Sequence, residues 1–153
     1  MIRFFFAIFL FAGALFAAQP NFSGEWKMNV AKSDFGPIPA PTTLTRTIRH
    51  NDPSLEYTTR QKGQQGAEIT TEIKYTTDGK PCVNKIQDSE AKGSARWQGD
   101  NLLIESAREF QGIQISSKET WTLADGGKTL NISSHVSVPQ QGEFDLKLVL
   151  DKQ

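Results

Sequence analysis

The sequence predicts an all-β protein, an antiparallel up-and-down meander of about eight to ten strands that closes into a β-barrel. Runs rich in Thr, Ile, Val, Leu and aromatic residues follow one another after residue 20. Short segments rich in Gly, Asn and Asp separate these runs, and such residues reach the positive φ that tight hairpin turns require. Almost every link is shorter than the roughly dozen residues of a parallel crossover, which favours antiparallel pairing.

Ten strands are expected in chain order, wherever β-branched and aromatic residues alternate with polar ones. They cover residues 22–28, 44–50, 55–61, 68–75, 81–87, 91–98, 102–109, 113–123, 129–138 and 144–150. The longest link, residues 29–43, contains Pro37, Pro39 and Pro41, which lack the N–H groups that a central strand needs. We interpret this link as a surface crossover; the alternative is a lid folded across one end of the barrel.

The first 18 residues are predicted to be a secretory signal peptide, which leaves residues 19–153 as a single mature domain. Arg3 makes a positively charged start, an apolar run follows, and cleavage is expected after Ala17 or Ala18. The alternative is an uncleaved anchor, but the uncharged run is shorter than the ~20 residues that span a bilayer. We therefore expect a secreted or periplasmic protein with no stable membrane anchor after signal cleavage.

Charge and cysteine content exclude several classes of function. The chain has 17 basic and 17 acidic residues, and this zero net charge argues against nucleic-acid binding. The single cysteine, Cys82, excludes an intrachain disulfide and a Cys-based zinc site; it is either an inert thiol or a site of intermolecular pairing. The only histidines, His50 and His135, are assigned to opposite faces of distant strands. We expect no metal, no cofactor and no enzymatic activity, because no motif of a catalytic site appears.

Polar residues share the inward side of the predicted strands with apolar ones. Side chains two apart lie on the same face of a strand, so Arg46 lies between Leu44 and Ile48, and Arg108 follows Ile104. The inward polar set by this parity is Arg46, Thr59, Thr71, Ser106, Arg108, Ser117, Glu119 and Ser134. A core built only for stability would avoid buried charge, so this pattern indicates a cavity in which water or a ligand satisfies these groups.

Two features of this inward set have alternatives. A bulge after Ser106 would reverse the faces and turn Arg108 to solvent. Glu119 and Arg108 could form an inward acid–base pair, although we favour a plain buried salt bridge between them.

The start of the mature chain carries a family resemblance. Asn21-Phe22-Ser23-Gly24-Glu25-Trp26-Lys27-Met28 resembles the Gly-x-Trp opening of lipocalins and the Phe-x-Gly-x-Trp opening of fatty-acid-binding proteins. The run through Lys32-Ser33-Asp34-Phe35-Gly36 is similar to a group of secreted bacterial lipocalin-like, calycin-type proteins. The resemblance implies that this segment is the first strand of a lipocalin-like barrel and that Trp26 closes one end of it.

The sequence also departs from these families. Thr77-Asp78-Gly79-Lys80 keeps the Thr-Asp of a lipocalin loop motif but lacks its Tyr, and we interpret Asp78-Gly79 as a hairpin turn. The Pro-rich link cannot supply the two helices that fatty-acid-binding proteins place after the first strand.

We expect an extracytoplasmic binding protein for a small hydrophobic or amphipathic molecule held inside the barrel. The apolar part of the ligand would lie against Ile48, Ile73, Ile115, Ile132 and Leu148, and an anionic head would meet Arg46 or Arg108 through charge-assisted hydrogen bonds. The candidate ligand-binding residues are Arg46, Tyr57, Tyr75, Trp97, Arg108 and Trp121. Trp97 and Trp121 lie near hairpin ends, where packing of the core or of a barrel end is the alternative role.

The competing function is a non-catalytic protein-interaction or inhibitor module of the cell envelope. It would use hairpin tips such as 64–66 or 140–142, or an open sheet edge, and it predicts a filled interior. An interior void would therefore favour the ligand-binding function.

Overall fold

A computed structural model describes residues 18–153, so the predicted signal peptide lies outside the described residues except for Ala18. The fold is all-β, with ten antiparallel strands: β1 Gly24–Met28, β2 Thr43–Asn51, β3 Ser54–Lys62, β4 Glu68–Thr76, β5 Cys82–Ile86, β6 Ser89–Gln98, β7 Asn101–Phe110, β8 Ile113–Ala124, β9 Thr129–Val138 and β10 Gly142–Lys152. Two short 3-10 helices are formed by Val30–Lys32 and Asp125–Gly127. None of the helices in this part of the chain is long and apolar enough to cross a membrane.

The strands form a single meander that curls into a nearly closed barrel. Each strand pairs with its neighbours in sequence, except that β4 and β5 do not pair with each other. Because β1 pairs with β10 as well as with β2, the two ends of the sheet are β4 and β5. All ten predicted strands are present, with bounds that differ by no more than two residues at either end. The predicted fold is therefore confirmed.

The two edge strands meet at a seam that side chains bridge. The Asn84 side chain spans it, accepting a hydrogen bond from the Lys74 backbone N–H at 2.8 Å and donating one to the Lys74 carbonyl at 3.0 Å. The interpretation of Asp78-Gly79 as a hairpin turn is wrong, because the segment pairs with β6 and not within a β4–β5 hairpin. Gly79 N–H donates to the Ala95 carbonyl of β6 at 2.8 Å, and the backbone of Asp78 forms an isolated β-bridge with that of Arg96. A Gly-containing turn supplies the bend but does not determine which strand pairs next.

The predicted inward and outward faces hold along the ladders. Every residue of β7 from Leu102 to Phe110 has a partner on β8, from Trp121 to Ile113, with no interruption. A bulge after Ser106 is therefore excluded, and Arg108 faces inward.

One end of the barrel is packed solid. This closed end carries the β2–β3, β6–β7 and β8–β9 links, and its inward side chains are fully buried: Phe22, Trp26, Leu55, Leu102, Trp121, Leu130, Ile132 and Leu150. The Phe22 ring stacks on Trp97 at 5.8 Å between centroids and meets Trp121 edge-on at 5.7 Å. Trp26 donates its indole N–H to the Phe22 carbonyl at 2.9 Å. Trp26 thus lies where the family resemblance implies, closing one end.

The Pro-rich link reaches the opposite, open end. Asp34 and Lys147 of β10 exchange two backbone hydrogen bonds of 2.7 Å, which fix the link against the sheet. Phe35 packs against the core beyond this point, and Ile38 lines the barrel interior. The link is a crossover anchored to β10 that also places one apolar side chain at the mouth of the interior.

Candidate functional site

The open half of the barrel contains a cavity of about 520 Å³. Its apolar lining consists of Ile38, Ile69, Ile73, Ile86, Ala91, Ile115, Val136, Val138 and Leu146. Its polar lining includes the whole predicted inward polar set together with Tyr57 and Tyr75. Ligand pockets for small molecules usually fall between about 300 and 1,000 Å³ and combine an apolar wall with a few polar groups. Both the size and the composition of this cavity fit that description.

Arg46 extends from β2 into this cavity and stacks on aromatic rings. Its guanidinium carbon lies 4.7 Å from the centroid of the Tyr57 ring and 5.2 Å from that of Trp121. Nε donates to the Thr59 hydroxyl at 2.8 Å, whereas Nη1 is buried without a hydrogen-bond partner. Arg46 forms no ion pair with any carboxylate of residues 18–153. A cation held this way carries unused capacity to bind an anion or another acceptor.

Two tyrosines complete the polar part of the cavity wall. Burial raises the pKa of Tyr57 well above its ordinary value, and the nearby Glu119 carboxylate raises it further, while Arg46 acts in the opposite direction. Burial and Glu119 also raise the pKa of Tyr75 to about 12. Both phenols therefore stay protonated and can donate hydrogen bonds to a ligand at any physiological pH.

The predicted salt bridge between Glu119 and Arg108 is wrong. In the β7–β8 ladder Arg108 pairs with Ile115, whereas Glu119 pairs with Ile104. These positions are four residues apart along each strand, or roughly 13 Å at the rise of a β-strand. Glu119 instead accepts a hydrogen bond from the Trp121 indole at 2.8 Å. Parity identified the shared face correctly, but the antiparallel register separates the two charges along it.

Arg108 lies near the open end of the cavity. Its guanidinium carbon is 5.5 Å from the centroid of Phe110, a partly exposed ring at the tip of the β7–β8 hairpin. The same hairpin carries Ile113, which is also exposed. The two interior arginines thus occupy different levels, Arg46 against the packed end and Arg108 at the mouth.

The two candidate tryptophans differ in position. Trp121 is fully buried, and its ring lies below Arg46 and 5.2 Å from Tyr57, so it forms part of the support under the cavity. Trp97 lies apart from the cavity at the closed end, against Phe22 and His50, and donates its indole N–H to Asp52 at 2.8 Å. Trp97 thus has the alternative role, packing of a barrel end, because the hairpin between β6 and β7 is at the closed end.

Only some of the residues expected to contact the apolar part of the ligand line the cavity. Ile73 and Ile115 line it, whereas Ile48 and Ile132 are buried within the packed end and Leu148 packs against the same core. The sequence interpretation missed Ile38, Ile69 and Ile86 as cavity residues. Ile69 and Ile86 lie at the open ends of their strands, a position that strand order and direction could have indicated.

The histidines, the cysteine and the carboxylates of residues 18–153 form no metal site. Among residues 18–153, no cluster of three or more His, Cys, Asp or Glu side chains could hold a metal ion. His50 is buried at the closed end, and His135 lies on the outer face beside Asp145 at 2.8 Å, so they are on opposite faces as predicted. Cys82 is a half-buried free thiol.

The fold is similar to solved structures of low sequence identity. Secretory abundant heat soluble protein 4 from Ramazzottius varieornatus is matched with a TM-score of 0.56 at 11% identity, over 86% of this chain and 94% of that chain. A second secretory abundant heat soluble protein from the same organism gives 0.57 and 12%, with the same coverage. Rv2717c from M. tuberculosis gives 0.55 and 16%, over 86% of this chain and 92% of that chain.

No protein-family model and no curated protein sequence matches the chain. At these identities, the structural likeness shows a lipocalin-like, calycin-type β-barrel fold. The resemblance found at residues 21–36 is therefore confirmed for the fold, and membership of a secreted bacterial group stays a prediction.

Proposed function

We propose that this protein binds a small amphipathic molecule inside its barrel, without catalysis. The observation that carries the proposal is the 520 Å³ cavity whose wall combines isoleucines with an arginine that pairs with no carboxylate of residues 18–153. The apolar part of the ligand would replace water against Ile73 and Ile115, at about 25 cal/mol per Å² of apolar surface buried. An acceptor group on the ligand would meet Arg46.

The polar character of the cavity defines which ligands fit. Hydroxyl groups of Thr59, Thr71 and Ser134 and the two phenols line the same space as the isoleucines. A pure hydrocarbon would leave these groups without partners, which is costly in a site shielded from water. An amphipathic molecule satisfies both parts of the wall.

The competing function, a protein-interaction module, predicts a filled interior. The hollow open half supports the ligand-binding proposal over that alternative, because a binding module that uses only hairpin tips has no need of an interior cavity.

A pair of dyes with the same ring system tests the proposal. 8-Anilinonaphthalene-1-sulfonate is anionic, and N-phenyl-1-naphthylamine is its uncharged counterpart. We expect the wild-type barrel to bind both dyes with increased fluorescence. Ser134→Phe would fill part of the cavity and weaken the binding of both at least tenfold, whereas Ser133→Phe, the adjacent residue on the outer face, serves as the matched control and would leave binding unchanged.

The controls distinguish cavity binding from surface adsorption. Thr71→Phe on another strand of the wall would repeat the loss if Ser134→Phe acts by occupying space, and circular dichroism would verify that each variant keeps its β-sheet. Unchanged dye binding in both filled variants, or equal loss in Ser133→Phe, would contradict the proposal.

We further propose that the protein acts outside the cytoplasm. The charged start, the apolar run and the small residues of positions 1–18 support this. When the full chain is produced in a bacterial host, the exported protein should begin at Ala18 or Gln19 by N-terminal sequencing. An intact N-terminus on protein retained in the cytoplasm would contradict this part of the proposal.

A further inference from the structure

The base of the cavity carries two opposite charges that do not neutralise each other. Arg46 and Glu119 both line the cavity and both contact Trp121, Arg46 over its ring and Glu119 at its indole nitrogen. They form no ion pair with each other or with any other residue of the described chain. A cation and an anion therefore lie around one indole ring, each with bonding capacity left over.

Each of the two charged groups has at least one atom that makes no hydrogen bond with residues 18–153. On Arg46, Nε is used by Thr59, and Nη1 is buried without a partner. On Glu119, Oε2 accepts the Trp121 N–H, and no hydrogen bond from residues 18–153 reaches Oε1. A buried donor such as Arg46 Nη1 normally has a partner, which indicates an occupant that supplies an acceptor. That occupant would share the cavity with the half-buried Glu119 carboxylate.

The Tyr57 phenol lies within the electrostatic reach of both charges. The Glu119 carboxylate raises the pKa of the Tyr57 phenol, and the Arg46 guanidinium lowers it. The Tyr57 ring lies 5.2 Å from that of Trp121. Both rings already carry the Arg46 guanidinium on one face, so a cationic group of the ligand would rely on the Glu119 carboxylate.

We infer that the polar end of the ligand is zwitterionic, with an anionic group that binds Arg46 and a cationic group that binds Glu119. This inference rests on the proposed function, since it names the class of amphipathic molecule that the same cavity binds. A singly charged anion would satisfy Arg46 but lie close to the Glu119 carboxylate, and a singly charged cation would suffer the reverse repulsion. A zwitterion removes both conflicts.

Three amphiphiles with the same eight-carbon alkyl tail test the inference: nonanoate, octyltrimethylammonium and N-octyl-N,N-dimethylglycine. Their affinities would be measured by displacement of N-phenyl-1-naphthylamine, at concentrations below micelle formation. We expect the zwitterion to bind about tenfold more tightly than either singly charged molecule, the effect of one additional ion pair in the cavity.

Two substitutions assign the charges to residues. Glu119→Gln keeps an acceptor for the Trp121 indole but removes the negative charge, so the zwitterion should lose its advantage over nonanoate. Arg46→Met keeps an unbranched apolar stem but removes the guanidinium, so the zwitterion should lose its advantage over octyltrimethylammonium. Near-ultraviolet circular dichroism of both variants would verify that the tryptophans keep their packing.

The possible outcomes separate this inference from the proposed function. If nonanoate displaces the dye and the zwitterion binds no more tightly, or if Glu119→Gln leaves the preference unchanged, the inference is wrong and the proposed function stands. If none of the three amphiphiles displaces the dye and Ser134→Phe does not affect the dye, both are wrong.

Discussion

The two halves of this barrel follow the same alternation of inward and outward residues but fill their interiors differently. At the closed end the inward positions carry Leu102 on β7, Trp121 on β8 and Leu130 on β9, all fully buried. Further along the same strands the inward positions carry Ser106, Ser117 and Ser134, which line the cavity. The cavity therefore arises because the inward side chains become smaller along these strands. The alternation of inward and outward residues is the same in both halves.

The largest expected difference between the halves is in stability. Leu102→Ala removes a fully buried side chain that has no room to relax, so we expect it to lower the free energy of unfolding by about 3 kcal/mol. Ile115→Ala, at the cavity wall, should cost about 1 kcal/mol, because its side chain is already in contact with empty space. Denaturation in urea would measure both, and equal losses would show that the open half is packed as tightly as the closed half.

The next effect concerns the anion site. Arg46→Met should weaken binding of 8-anilinonaphthalene-1-sulfonate about tenfold, while binding of the uncharged N-phenyl-1-naphthylamine stays within about twofold. Stability should change little, because the variant loses the hydrogen bond to Thr59 and the ring contacts but also removes a buried N–H group that has no partner among residues 18–153.

Arg108→Met is the comparison for that variant. Because Arg108 lies at the mouth against Phe110, its loss should change the affinity for the anionic dye less than the loss of Arg46 does. A larger effect of Arg108→Met would reverse the assignment of the head-group site.

The sequence predicts the strands and their inward faces better than it predicts the contacts between side chains of different strands. Alternation and turn residues predict all ten strands, and parity predicts that Arg46, Arg108 and Glu119 face inward. The distance between Arg108 and Glu119 could not be predicted from the sequence, because it depends on the register of the β7–β8 ladder and not on which face the residues share. The position of Trp97 could not be predicted either, since its partners Phe22 and His50 are distant in sequence.

A signal for the cavity itself was present in the sequence. On β7 and β8 the inward residues change from large and apolar to small and polar at the same level of the barrel, and on β9 a serine interrupts the apolar series one inward position nearer the closed end. In the ladders, Ser106 pairs with Ser117, and Ser134 pairs with Glu119 beside it. Such changes in three neighbouring strands predict where a barrel stops being solid.

A smaller effect is expected at the seam. Asn84→Ala removes both hydrogen bonds between the Asn84 side chain and the Lys74 backbone, and it leaves the N–H and carbonyl of Lys74 without these partners. We expect a loss of about 1 kcal/mol in the free energy of unfolding. Hydrogen exchange should be faster at the Lys74 amide, whereas the Leu103 amide in the continuous β6–β7 ladder should keep its rate. Unchanged exchange at Lys74 would show that the seam does not depend on Asn84.

The smallest expected effects are pH-dependent and have opposite signs for the two histidines. Burial lowers the pKa of His50 below 6.5, although Asp52 partly opposes this. The unfolded chain therefore binds a proton at His50 before the folded chain does, and stability falls as the pH decreases below about 6.5. His50→Gln should flatten this part of the curve of unfolding free energy against pH.

His135 provides the reverse case on the outer face. Its hydrogen bond to Asp145 raises the pKa of His135, so its contribution to stability is present below pH 6.5 and is lost as the pH rises through the raised pKa. His135→Gln should remove this loss, and the effect should be the smaller of the two because the group is exposed to solvent. The same slope in both variants would contradict the assignment of the histidines to different environments.

The most direct test of the ligand-binding account is a two-dimensional ¹H–¹⁵N NMR titration of the protein with 8-anilinonaphthalene-1-sulfonate. The account predicts that the amide signals of Thr59, Thr71, Ser117 and Ser134 shift with a single saturating curve, while those of Leu102 and Leu130 at the closed end stay in place. Shifts confined to the hairpin tips or to the outer face around His135, with unchanged signals from the cavity wall, would contradict it.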